Sequence, residues 1–180
     1  MLPIDISGVN GWSEARNEFI EMQDQHLLLE HSLVSISEWE AKYEKPFLST
    51  TEKSPDELID YIKMMTLNRS SVDERVYDLL DQETLKEIFA YIQSKQTATW
   101  FSDKNKKNSR EIITSEIIYC WMTQLNIPFE CQTWHLNRLL TLIRVCSEKQ
   151  QMPKDLSKKQ LYSRNTALNK ARRAKLHSKG

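Results

Sequence analysis

The sequence predicts a mainly α-helical protein of α+β type: a helical domain with a small N-terminal antiparallel β element and a basic C-terminal helix. Three observations predict it. Helix-start signals recur from Ser35 onward, each followed by apolar residues at helical spacing. Period-two alternation of apolar and polar residues occurs only near the N-terminus. Glycine, which favours tight hairpins, stands only at positions 8, 11 and 180.

In the N-terminal segment, Leu2, Ile4 and Ile6 alternate with Pro3 and Asp5, the pattern of a half-buried strand. Gly8, Asn10 and Gly11 suit a turn. Phe19–Met22 and Leu27–Val34 are candidates for two further strands, while Trp12–Glu21 reads equally well as a helix. Residues 1–34 thus form a β-rich element that needs a helical layer to stabilise it.

The helical core spans residues 35–152. Ser35 with Glu38, or Ser37 with Glu40, offers a capping box, and Ile36, Trp39 and Tyr43 share the face that follows until Pro46. Ser54-Pro55-Asp56-Glu57 joins an N-cap, a proline at the first helical position and a glutamate at the third. Leu58, Ile59, Ile62 and Met65 then form an apolar stripe. A short helix over 73–80 presents Val76, Leu79 and Leu80, and one over 82–93 presents Leu85, Ile88, Phe89 and Ile92. Trp100 and Phe101 close the run Thr97-Ala-Thr-Trp-Phe101; two rings tucked under the core are favoured over a platform for stacking bases.

A polar loop over 102–110 precedes a helix capped by Ser109, carrying Ile113, Ile117, Ile118, Trp121 and Leu125 and closed by Asn126-Ile127-Pro128. Residues 133–149 form its partner, with Trp134, Leu136, Leu139, Leu140, Ile143 and Cys146; these two helices read as the core hairpin. Pro153 breaks the chain, and Ser157 with Gln160 opens a basic helix. Leu161, Ala167, Leu168, Ala171 and Ala174 give that helix only a narrow apolar face, so residues 153–180 read as a semi-detached arm.

Zero net charge conceals a division. Residues 149–180 hold ten bases and one acid, Asp155; the rest holds fifteen bases and twenty-four acids. An acidic body therefore carries a basic tail.

Several functions are excluded or disfavoured. Nothing between residues 12 and 179 can build a glycine-rich phosphate cradle. No GxSxG motif exists. Cys131 and His135 stand four apart and could share a metal with Cys120, but no CxxC or HExxH accompanies them. Core thiols and a capping or surface histidine are the favoured account, and the same apolar setting argues against a cysteine nucleophile. No catalytic, metal or cofactor site is predicted. No apolar run approaches the roughly 20 residues that span a bilayer, and the N-terminus has no export pattern, so no membrane partner is predicted. Three cysteines without a CxxC suit a reducing interior.

The remaining chemistry is binding. Lys158, Lys159, Arg164, Lys170, Arg172, Arg173 and Lys175 are the candidate partner-binding residues of the arm. Such a cluster suits phosphate backbones and suits acidic protein surfaces too, including the body of another copy of this chain, with nucleic acid the less favoured partner; a solvated tail is the plainer account. Asn137 and Arg138 either solvate a helix face or contact a partner.

Several stretches also resemble a family of small bacteriophage proteins: Leu29-Glu-His-Ser-Leu-Val-Ser-Ile-Ser37, Lys45-Pro-Phe-Leu48, Asp60-Tyr-Ile-Lys-Met-Met-Thr66 and Thr97-Ala-Thr-Trp-Phe101. Asn126-Ile-Pro-Phe-Glu-Cys131, Trp134-His-Leu-Asn-Arg-Leu-Leu-Thr-Leu-Ile-Arg144 and Ser163-Arg-Asn-Thr-Ala-Leu-Asn-Lys-Ala-Arg-Arg173 belong to the same resemblance. That family looks like the tail assembly chaperones of long-tailed phages. The resemblance implies a non-enzymatic factor in the cytoplasm of the infected host, holding tail or tape-measure protein and absent from the finished virion. A structural component of the virion, such as a connector or neck protein, is the alternative.

Overall fold

The computed structural model describes residues 1–8, 10–13, 17–49, 52–101, 112–151 and 158–176. The predicted polar loop over 102–110 with its cap Ser109, the break at Pro153 and the cap Ser157 lie outside them. Chain contacts gather into two units, Met1–Arg144 and Val145–Gly180. The architecture is mainly helical with a small antiparallel β element at the N-terminus.

Strand β1 (Leu2–Ile6) pairs antiparallel with β4 (Gln25–Leu29), setting Leu2 opposite Leu29 and Ile4 opposite Leu27. This register puts Ile4, Leu27 and Leu29 in the core, as the alternation predicts. Between them in sequence, β2 (Asn10–Ser13) pairs antiparallel with β3 (Glu18–Glu21), so Trp12, Ser13 and Glu18–Glu21 are paired strand and not helix. Asn10 and Gly11 belong to β2 rather than to a turn, a correction traceable to pairing: Trp12 stands opposite Phe19, an aromatic cross-strand pair that favours extended backbone. Gly8 is needed for space. A Cβ there would lie 2.9 Å from the Met22 carbonyl oxygen, and its N–H donates to the Asp24 carboxylate at 2.5 Å.

Helix α1 (Leu33–Tyr43) starts earlier than either predicted box. Its N-cap is Ser32, whose Oγ accepts from the Ser35 N–H at 3.3 Å while Ser35 Oγ accepts from the Ser32 N–H at 3.1 Å. A serine therefore fills the place usually taken by glutamate. The earlier start brings Leu33 onto the stripe with Ile36 and Trp39, and all three are buried. Glu44, at φ 52°, ends the helix before Pro46 is reached.

Helix α2 (Pro55–Met65) opens on the predicted box: Ser54 Oγ accepts from the Glu57 N–H at 3.2 Å, and Glu57 accepts from the Ser54 N–H at 2.9 Å. Residues Glu74–Leu79 form a 3-10 helix, burying Val76 and Tyr77. Asp81 caps α3 (Gln82–Gln93), and Thr114 precedes α4 (Ser115–Gln124). A 3-10 turn over Phe129–Thr133 leads to α5 (Leu136–Gln151), which begins later than position 133 because that turn intervenes. The chain ends its described part with α6 (Lys158–Leu176).

The predicted core hairpin of α4 and α5 is not the organising pair. Helix α1 takes that place, packing on α2, on α4 and on the Phe129–Thr133 turn. The reason is a set of polar links that α1 makes as well as its apolar face. Trp39 Nε1–H donates to the Glu57 carbonyl at 2.9 Å. The buried Glu40 carboxylate accepts from the Phe47 N–H and the Ser115 N–H, both at 2.7 Å. The second bond satisfies a free amide of the α4 N-terminus, which Thr114 leaves without a side-chain cap. Among the described residues no helix is long and apolar enough to cross a membrane.

Candidate functional site

The seven predicted basic residues, Lys158, Lys159, Arg164, Lys170, Arg172, Arg173 and Lys175, all lie on α6, which contains no acid. Lys170, Arg172 and Arg173 are exposed, as are Tyr162 and Leu168. Tyr162, Asn165, Thr166, Asn169, Lys170 and Arg173 recur at three- and four-residue spacing on one face of α6. These side chain types offer charge, amide and hydroxyl groups to a polar partner.

The other two predicted residues belong to the unit Met1–Arg144, with different duties. Arg138 stacks over Trp134, its guanidinium carbon 4.1 Å from the ring centroid, so Trp134 is half-buried beneath it. Asn137 Nδ2 donates to the Ser94 carbonyl at 2.8 Å and to the Ile92 carbonyl at 3.3 Å. It thereby satisfies carbonyl groups at the C-terminal end of α3, where no glycine cap exists.

That bond shapes a groove of about 390 Å³ lined by Lys95, Thr97, Thr99, Trp100, Phe101, Asn137, Leu140, Thr141 and Arg144. Here the expectation for the aromatic pair is corrected. Trp100 is 75% exposed, not tucked under the core. Phe101 is half-buried, with the Arg144 guanidinium 4.0 Å from its centroid. Leu136, Leu139 and Ile143 of α5 are the buried residues of that helix, while Trp100 lines the groove beside Leu140 instead. Sequence reasoning did not single out Lys95, Thr141 or Arg144. A signal was present: Asn137, Thr141 and Arg144 are spaced four and three apart, a polar stripe beside the buried one.

A second polar cluster lies inside the body. His31 Nδ1 is 2.6 Å from Tyr61 Oη, and its ring meets that of His135 edge-on at 5.1 Å. His135 Nε2–H donates to the Tyr91 carbonyl at 3.1 Å, while Nδ1 accepts from the Asn137 N–H at 3.3 Å. Both nitrogens of His135 are thus engaged with backbone, leaving neither for a metal or a proton relay. Tyr91 Oη–H donates to Glu30 at 2.8 Å. Burial, with His135 adjacent, pushes the His31 pKa down to about 3, and burial lowers that of His135 too. Both rings are neutral at neutral pH. Their contacts tie α5 to the segment before α1, together with the Leu136 N–H donating to the His31 carbonyl at 2.7 Å.

Among the described residues no three His, Cys, Asp or Glu side chains converge as a metal-binding group. Cys120 is exposed, Cys146 half-buried and Cys131 buried, and burial pushes the Cys131 thiol up, away from thiolate character. Comparison with protein-family models, with curated proteins and with solved structures finds no match for this chain.

Proposed function

We propose that the protein is a non-enzymatic binding protein of bacteriophage morphogenesis, a tail assembly chaperone that holds tail or tape-measure protein while the tail is built. The observation that carries the binding part is the contrast between an acidic, packed body and α6, a nineteen-residue helix with seven bases and no acid. An exposed cationic helix of this kind favours fast, reversible association with an acidic surface, which is what a holding factor needs. The phage part rests on the sequence resemblance, above all on the stretches 97–101, 126–131, 134–144 and 163–173. In this reading the protein works in the cytoplasm of the infected host and leaves before the particle is complete.

Mass spectrometry of purified virions and of infected-cell extracts from the phage that encodes the chain tests this. The chaperone reading expects abundant protein in extracts and none in particles. A fixed copy number in particles would replace it with the alternative, a connector or neck component. The absence of acid from α6 also favours a second reading, contact with nucleic acid, whose signature is affinity that collapses steeply as salt rises.

A further inference from the structure

We propose that the cleft lined by Arg138 and Leu67 is a second recognition site, one that takes an acidic side chain of a partner protein together with an aliphatic residue beside it. The proposal rests on the protein-binding reading above and assigns a contact to the body, apart from α6.

The guanidinium is the first argument. Arg69 and Arg75 of the same unit each meet a carboxylate, Glu38 at 2.5 Å and Asp73 at 2.6 Å. Arg138 is exposed, and among the described residues its guanidinium has no ion pair and no hydrogen bond; it rests on the Trp134 ring. A cation seated on an indole is ordered in advance, so less side-chain freedom is lost when an anion arrives. Its N–H groups stay available, and a carboxylate can meet two of them with parallel bonds.

Apolar surface is the second. Arg138 and Trp134 line a cleft of about 380 Å³ together with Leu67 and Met1, which are 57% and 73% exposed. The backbone fixes Leu67 there, because its N–H donates to the Leu28 carbonyl at 2.8 Å. Arginine and tryptophan carry much of the energy at protein interfaces, and exposed aliphatic groups beside them gain by being covered. The third argument is that the acid in the wall is already answered. Glu30, the carboxylate among the described lining residues, accepts from Tyr91 Oη–H and pairs with the Met1 amino group, both at 2.8 Å. Arg138 is therefore left for a carboxylate from outside. A cleft of this volume fits a few side chains, not a folded domain. A nucleic acid fits worse, because residues 1–148 hold twenty-four acids and fifteen bases, and a phosphate offers nothing to Leu67.

The test uses the full chain and the peptide Gly-Leu-Glu-Leu-Gly-amide, dye-labelled at its amino end and followed by anisotropy. Saturable binding is expected, absent for the counterpart with glutamine in place of glutamate. Arg138→Gln weakens it about tenfold, the worth of one charge-assisted hydrogen bond. Arg138→Lys, which keeps the charge without the planar fork, recovers only part of that loss. Leu67→Gln also weakens binding, and it leaves the Trp134 stack untouched should Arg138→Gln loosen it. Arg172→Gln with Arg173→Gln leaves the affinity unchanged, which separates this cleft from α6. No saturable signal, equal binding of the glutamine counterpart, affinity unmoved by Arg138→Gln and Leu67→Gln, or a loss confined to the α6 variant overturns the proposal. So does displacement of the peptide by inorganic phosphate or a short thymidine oligonucleotide at matching concentration. The two readings fail separately. Loss of peptide binding while tail protein is still retained rejects the cleft alone. Peptide binding by a chain that retains no tail protein rejects the assembly role and leaves the cleft as a peptide site.

Discussion

The body and α6 hold their charges in opposite ways. In Met1–Arg144, charge is used inward: Glu40 is buried, and its two oxygens join the loop after α1 to the first turn of α4. Glu57 and Asp60 on α2 likewise meet Lys45 and Lys42 from α1 and its following loop, and Tyr43 Oη–H donates to Asp60 at 2.6 Å. In α6 no acid is present to answer seven bases, and the described ones are exposed. The body is thus specified by burial, whereas α6 is a helix by local propensity, rich in alanine, lysine, arginine and leucine. Under the proposed function, stability and recognition are separable in sequence: change to the first region is expected to cost folding, and change to the second is expected to cost binding.

The strongest way to break this comparison is to remove the centre of the body. Trp39 is buried, its ring lies 4.9 Å from Tyr43 and 5.1 Å from Phe47, and its indole N–H is bonded to Glu57. Trp39→Ala should cost about 3–5 kcal/mol, a large share of the roughly 5–15 kcal/mol typical of a domain. Urea denaturation reads it as a lowered midpoint. A loss below about 1 kcal/mol would mean that the body is not organised round α1.

A middle-sized effect comes from pH. His31 titrates near 6.5 when unfolded but at about 3 when folded, and His135 is shifted the same way. For a base held down in the folded state, the unfolded chain binds more protons below pH 6.5. Its contribution is fully present above that pH and is lost as pH falls toward 3. One proton changes stability by about 1.4 kcal/mol per pH unit, so lowering pH from 6.5 to 5 should cost roughly 2 kcal/mol. In His31→Gln the slope over this window should shrink by most of that amount, measured by denaturation at each pH. An unchanged slope would place the acid sensitivity elsewhere.

These contrasts also explain what could be read in advance. The box at Ser54 and the strand at Leu2–Ile6 were legible because their signals are local: a hydroxyl meets an amide three residues on, and alternation matches one pleated face. The start of α1 was not, because it is decided by burial of Leu33 and by a serine acting where glutamate is usual. The role of α1 over the α4–α5 pair rests on Glu40 reaching Ser115, seventy-five residues away, which no window of sequence displays. The basic residues of the candidate site were legible from charge alone. The groove was not, since Lys95 and Trp100 follow α3 while Arg144 ends the body's part of α5, and the two stretches meet only once α3 and α5 are held by Asn137.

The smallest effect tests the other half of the comparison. Arg172→Gln with Arg173→Gln removes two exposed charges from a helix that has no acid to pair with them. Stability of the body should move by less than about 0.5 kcal/mol, the range of surface changes away from packed features. The helix itself keeps its propensity, because arginine and glutamine differ little as helix formers. Affinity for an acidic partner surface should fall, chiefly in the association rate and more at low salt than at high, since long-range attraction is screened within about 10 Å at 0.1 M salt. Stopped-flow association at two salt concentrations and a thermal melt check both halves on one preparation. A melt displaced by several degrees would mean that these arginines hold the fold together, and the separation of stability from recognition would then lie elsewhere than between the two units.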